Sequence, residues 1–275
     1  HFSSLKMRGG AFGKDFVKAK LSPARQFMLT QAVQSYYAST ELLEVDGDPV
    51  RIVNEGEYRM SNSFDITVEQ LFFEMKLNPW TVRNELDWFV KRYSYTDKVR
   101  FPGKPGEHPG GLSFTHDMGV ANHFSKPGHS VYEKTGLHGC FSHMTHEELV
   151  NWVICGLVYE KQTGDAAWLA KNRSIFQKTL TSLLNRDHPD PEKRDGVMSL
   201  DSSRCSGGSE ITTYDSLDVS LGQARNNLYL AVKCWGCYVG LESLFERLGD
   251  AKRASICRDQ ARRCAGTICA SADDH

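Results

Sequence analysis

Long apolar runs and an excess of one charge are both missing from this sequence. No uninterrupted apolar stretch approaches the roughly 18 residues that a membrane-spanning helix needs. Basic and acidic side chains number 33 and 34, for a net charge of −1, so the chain as a whole makes no electrostatic case for a nucleic acid or an anionic membrane as partner. The amino terminus, His1-Phe2-Ser3-Ser4, has no basic stretch followed by an apolar one. No signal peptide is visible, and a cytoplasmic location is expected. Neither an initiator Met nor an evident stop after Ala272-Asp273-Asp274-His275 is present, so the chain reads as a piece of a longer protein. What is there is ordinary for a folded chain: 275 residues, 24% charged and 40% hydrophobic, long enough to bury a sizeable core.

Eight cysteines do not imply a disulfide framework in a chain this large. Several sit among apolar residues at helical spacing, which suits free buried thiols in a reducing compartment. Cys234-Trp-Gly-Cys237 has the spacing of a redox or zinc motif, but no second pair accompanies it and the segment reads as helix interior.

The dominant pattern is helical. Ser22-Pro23 opens a helix to about residue 39, with Ser as N-cap and Pro at the first position. Leu42–Val45 and Val50–Val53 flank Asp46-Gly-Asp-Pro49 as a small β-hairpin. A helical pattern over 65–93 is broken at Asn78-Pro79. Residues 102–130 hold Pro102, Pro105, Pro109 and Pro127 with many glycines and four histidines, and predict a long loop. Thr145-His-Glu-Glu148 has the form of a capping box opening a helix to about 162. Thr163-Gly-Asp165 separates it from a helix to about 185. A helix over 218–248 ends at Gly249-Asp250, and a last one runs to about 271. The two Gly-Asp junctions suggest repeated α-hairpins. This suits an α/α toroid or an irregular helical bundle equally.

Three segments offer chemistry. Asn54-Glu55-Gly-Glu57-Tyr58-Arg59-Met60 places two carboxylates around a Gly, with Arg59 beside them; a solvated turn has the same composition. Ser206-Gly-Gly-Ser-Glu210-Ile-Thr-Thr213-Tyr-Asp215-Ser-Leu-Asp218 delivers Asp215 just before a helix, where it is a candidate acid or an N-cap. Phe114-Thr-His116-Asp117-Met-Gly119 holds a His–Asp pair able to bind a sugar hydroxyl or a metal. A metal-dependent site would draw on His116, Asp117 and one of His108, His123 or His129. Glycoside hydrolysis needs two carboxyl groups flanking one bond, one to protonate the leaving oxygen and one to attack or to activate water. Glu55 and Asp215 suit that requirement.

At these blocks the chain resembles glycoside hydrolase family 52, the β-xylosidases. The related family 116 of β-glucosidases has a comparable E-G-x-E-Y segment followed by N-T-x-D, a later H-D-x-G and then T-Y-D. All three blocks stand here in that order, and Glu55-Gly-Glu-Tyr58 lacks the extra residue, which favours family 52. The resemblance implies a retaining hydrolase releasing β-D-xylose from the non-reducing ends of xylo-oligosaccharides. Glu55 would be the nucleophile, with Glu57 as fallback, and Asp215 the general acid/base. Asp65, His116, Asp117, Thr213 and Tyr58 would line the sugar site. No cofactor or metal is implied. β-Glucosidase activity, or a toroid piece without activity, are the alternatives. The implied fold is an all-α, (α/α)6-toroid-like domain of helical hairpins with a small β-hairpin in a loop. Residues 1–275 would form part of this single catalytic domain, without the family's N-terminal β-sandwich and C-terminal hairpins. Neither a nucleic acid nor a membrane is expected as partner, and the full-length protein would be a homodimer.

Overall fold

The structure, a computed structural model, describes residues 19–56, 59–131, 144–205, 210–212 and 222–273. The chain divides into two units, residues 1–41 and 42–275. In the first, helix α1 (Pro23–Ala38) starts where the sequence predicts: Pro23 lies in its first turn and the Ser22 side chain accepts from the Arg25 amide. None of its residues is buried, and Phe27 and Met28 are exposed.

The second unit carries two antiparallel sheets and six α-helices among its described residues. Strands β1 (Thr40–Val45) and β2 (Asp48–Glu55) form the expected hairpin around Asp46-Gly47. They continue through β3 (Met60–Ser61), β6 (Gly119–Val120) and β7 (His123–Phe124) into a five-stranded sheet in that order. Strands β5 (His108–Phe114), β4 (Ser94–Arg100) and β8 (Asp201–Ser202) make a second sheet. Helices α2 (Phe64–Leu77) and α3 (Pro79–Trp88) part at Asn78-Pro79, as predicted. A π-helical turn, Phe89–Tyr93, leads from α3 into β4.

The expectation of an all-α, toroid-like chain is therefore corrected by the two sheets. The Gly- and Pro-rich segment read as a long loop contains three strands, β5, β6 and β7, joined by turns. Its glycines permit close approach rather than disorder. At Gly111 (φ 150°) an added Cβ would lie 2.9 Å from the Ser182 Cα, so only glycine lets β5 seat on the helix carrying Ser182. Gly111→Ala is expected to cost about 1–3 kcal/mol from overpacking and backbone strain. Urea unfolding checks this, and an unchanged midpoint would refute the packing argument.

Helix α4 (Thr145–Thr163) is the centre of the unit. It is buried continuously from Thr145 to Val153 and packs against α2, α3, β5, α5 (Ala166–Asp187) and α6 (Leu228–Arg247). Trp152, fully buried, stacks on Phe114 and touches Phe176 and Trp168. The capping-box reading of its start is also corrected. Met144 is the N-cap, Thr145 already lies in the helix, and the Thr145 hydroxyl accepts from the Tyr95 hydroxyl at 3.0 Å. The Gly-Asp junctions hold as predicted: Gly164 closes α4 in the left-handed conformation and Asp165 caps α5 through the Trp168 amide. Asp250 likewise accepts from the Arg253 amide at the start of α7 (Ala251–Asp273). Helix α6 begins at Leu228, capped by Asn227, ten residues after the predicted start at Asp218; residues 213–221 lie outside the described set.

Cys234 and Cys237 are buried inside α6 with free thiols, and desolvation pushes both thiols up from their ordinary range. No group of three or more metal-binding side chains occurs among the described residues. No described helix is long and apolar enough to cross a membrane.

Candidate active site

Glu55 ends β2, paired with Met60 of β3. The tight return between them is fixed by Asn62, a residue with a positive φ of 48° whose amide side chain substitutes for a strand neighbour. Its Oδ1 accepts from the Val53 amide at 2.7 Å and its Nδ2 donates to the Arg51 carbonyl at 2.9 Å. The next residue, Ser63, stands at the N-cap position of α2 but makes no side-chain cap there. Its hydroxyl instead donates to Glu55 Oε2 at 2.5 Å. One carboxylate oxygen of Glu55 is thereby held from the start of α2.

The His–Asp block meets the same helix end. The Phe64 amide donates to the His116 carbonyl at 2.7 Å, and the Met118 amide to the Ser61 carbonyl at 2.9 Å. Gly119 (φ 144°) permits this turn, because a Cβ there would lie 2.1 Å from the His123 carbonyl oxygen. His116, almost wholly buried, places Nδ1 3.1 Å from Asp117 Oδ2 and Nε2 3.7 Å from Asp65 Oδ1. Burial pulls its pKa down, but the Asp117 hydrogen bond and the charges of Asp65, Asp117 and Glu55 more than offset this and raise it. Asp117 is itself pinned by the Ser130 hydroxyl at 2.5 Å and the Val131 amide at 3.0 Å. Glu55, Asp65 and the adjacent pair His116-Asp117 therefore share one polar centre. Tyr58, Thr213, Asp215 and the fallback Glu57 lie outside the described residues.

The segment that holds Asp215 leaves and returns at one place. The Thr212 amide donates to the Gly222 carbonyl at 2.9 Å and the Ala224 amide to the Glu210 carbonyl at 3.1 Å. Glu210, fully buried, accepts from the His146 amide at 3.0 Å and the Ser202 amide at 2.6 Å, tying that base to α4 and β8. Desolvation raises the Glu210 pKa to about 8 and lowers that of His146 to about 3. At neutral pH their 3.5 Å approach is thus a contact between uncharged groups, and the His146 ring meets the Leu200 carbonyl at 2.7 Å.

Sequence reasoning missed a third contribution, from the start of α4. Glu147, with no exposure, accepts from the Tyr229 hydroxyl at 2.9 Å and pairs with Lys233 at 3.3 Å. Lys233 also donates to Asn151 Oδ1 at 2.8 Å, and Asn151 Nδ2 to Glu148 Oε2 at 3.0 Å. Burial, then the nearby charges of Asp65 and Glu147, raise the Glu148 pKa well above the usual carboxylate value. The signal was the pair of acidic residues within a segment otherwise fit for a core helix. Among the large aromatics, Phe64, Trp88, Phe114 and Trp152 are core, whereas Trp80 and Trp235 are exposed.

Residues 1–159, more than half of the chain, match the profile of glycosyl hydrolase family 52. The chain belongs to this family. Among curated proteins, a beta-xylosidase of Geobacillus stearothermophilus is 59% identical over 270 residues, covering 98% of this chain and 38% of that protein. A second beta-xylosidase of the same organism is 52% identical over 250 residues, covering 91% of this chain and 40% of its own length. This family 52 chain thus spans about two fifths of the length of those relatives. The membership implied by the Asn54–Tyr58, His116-Asp117 and Thr213–Asp215 blocks is borne out.

Proposed function

We propose that this family 52 chain carries the nucleophile and much of the sugar site of a retaining β-xylosidase, which releases β-D-xylose from the non-reducing ends of xylo-oligosaccharides. The observation that carries the reading is the identity to two proteins named beta-xylosidase. The gathering of Glu55, Asp65 and His116 at one end of α2 supports it. Glu55 attacks the anomeric carbon and forms a glycosyl-enzyme; Asp215 first protonates the leaving oxygen and then deprotonates the incoming water. The Ser63 hydroxyl occupies Glu55 Oε2, so Oε1 is the oxygen presented for attack. Charge is handled locally. His116 is held by Asp117 and faces Asp65, and these neighbouring carboxylates raise its pKa. Asp65 and His116 then hold sugar hydroxyls, with Asp117 fixing the imidazole ring, and Thr213 and Tyr58 complete the subsite.

The test is hydrolysis of p-nitrophenyl β-D-xyloside beside the β-D-glucoside, with proton NMR of the first sugar released. The xyloside should be cleaved faster than the glucoside, and β-xylose should appear before its mutarotation. A folded sample that turns over neither, or that releases α-xylose first, would overturn the proposal.

A further inference from the structure

Glu55 lines a small cavity of about 30 Å³ together with the polar side chains of Asn62, Ser63, Thr67 and Glu85 and the apolar ones of Val53 and Ile66. A water molecule needs roughly 10–15 Å³ of such space and two to four polar partners, and this cavity meets both conditions for one water. Glu85 reaches it from α3. It is buried, and the Thr67 hydroxyl of α2 donates to its Oε1. The charged and titratable groups facing it come from three elements: Arg51 and Glu55 of β2, Glu74 of α2, and Cys155 of α4. Arg51 is paired with Glu74 at 3.4 Å, which also accepts from the Thr81 hydroxyl at 3.0 Å. The described structure offers Glu85 no direct ion pair, while one of its own oxygens is already bound by Thr67. The cavity therefore places a buried carboxyl group and the candidate nucleophile around one water-sized space.

We propose that Glu85 is a positioning residue for Glu55, acting through a single ordered water held in this cavity. The inference rests on the reading of Glu55 as nucleophile. Desolvation raises the Glu85 pKa to about 7, against the opposing effects of the Thr67 hydrogen bond and the Arg51 charge. In slightly acid solution Glu85 is protonated; its O–H donates to the water, and the water donates to the Glu55 carboxylate. The Ser63 hydroxyl and the water then both donate to Oε2, which limits rotation of the carboxylate and leaves Oε1 for attack. Above neutrality Glu85 releases its proton to solvent. The water must then donate to both anions, and the two like charges repel across it. No covalent bond to carbon changes in this exchange.

A pH titration of the chain labelled with δ-carbon-13 glutamate tests this without relying on turnover. The Glu55 resonance should show its own inflection and a second one near pH 7, the second being absent in Glu85→Gln. Reciprocally, Glu55→Gln removes a negative charge, so the Glu85 inflection should move to lower pH. A crystal structure should show one water within hydrogen-bond reach of both carboxyl groups. A Glu55 titration curve unchanged by Glu85→Gln overturns the inference. So does a Glu85 inflection unmoved by Glu55→Gln, or a cavity whose water touches only one of the two. A loss of structure in Glu85→Gln, visible in its thermal melt, leaves the wild-type water and the Glu55→Gln shift to decide. Failure of the nucleophile assignment is distinguishable: Glu55→Gln would keep its xyloside turnover while the coupling between the two carboxyls persisted.

Discussion

Glu55→Gln is expected to lower xyloside turnover by roughly 10⁴-fold or more, because removing a nucleophile takes away the covalent route and leaves only binding and electrostatics. The amide keeps the size of the side chain and can still accept from Ser63, so folding should be preserved and the loss confined to chemistry. Truncation to Gly gives a sharper test. It opens space at the anomeric carbon, and azide supplied in solution should restore turnover of an activated aryl xyloside as α-xylosyl azide. The stereochemistry follows from a single displacement replacing a double one. Steady-state kinetics and NMR of the product read the two outcomes. Full turnover in Glu55→Gln would remove Glu55 from the mechanism and bring Glu57 forward. A variant rescued to the β-azide would retain the nucleophile and so also refute the assignment.

Arg186→Met should cost about 3–5 kcal/mol of stability, the range for removing one partner of a buried ion pair. Arg186 in α5 and Asp97 in β4 are both fully buried and lie 2.7 Å apart. Asp97 also accepts from the Gly111 amide at 3.2 Å and from the Ser202 hydroxyl, and Arg186 Nε donates to Ser182 Oγ at 3.2 Å. The variant leaves the Asp97 charge in the core with only neutral donors. For a unit of this size, the loss corresponds to a melting temperature lowered by about 10 °C. The double variant Arg186→Met with Asp97→Leu should recover part of it, since a well-packed apolar pair can replace a buried ion pair at little cost. Calorimetry decides: a single variant within 1 kcal/mol of the parent would contradict the argument. The same network holds Glu210, whose carbonyl and side chain anchor the chain just before the Asp215 segment.

Much of the candidate site was legible because its residues stand in short blocks that are chemically distinctive. Glu55, Asp65, His116 and Asp117 could be named from sequence, and the structure gathers them. Ser63 and Asn62 could not. A serine before a helix reads locally as a cap, and only the return of β3 onto β2 shows that its hydroxyl is committed to Glu55. Glu148 was misread for the same reason. A Thr-x-x-Glu pattern states a preference of an isolated helix start, but α4 begins inside the core, where Tyr95 takes the Thr145 hydroxyl and Asn151 takes Glu148. Local preference yields where burial demands that every polar group find a partner.

By itself the sequence determined the family, the Asn78-Pro79 break, the Ser22 cap, the Asp46-Gly47 hairpin and the two Gly-Asp junctions. Each of these rests on backbone chemistry or side-chain identity within a few residues. Only the tertiary structure decided that the 102–130 segment, read as a loop, contributes strands at 108–114, 119–120 and 123–124, that two antiparallel sheets stand beside the helices, and that Glu85 and Glu147 lie near the Glu55 and Asp65 centre. Strand pairing and the burial of charge join residues far apart in the chain. Their free energy comes from partners that no local window of sequence contains.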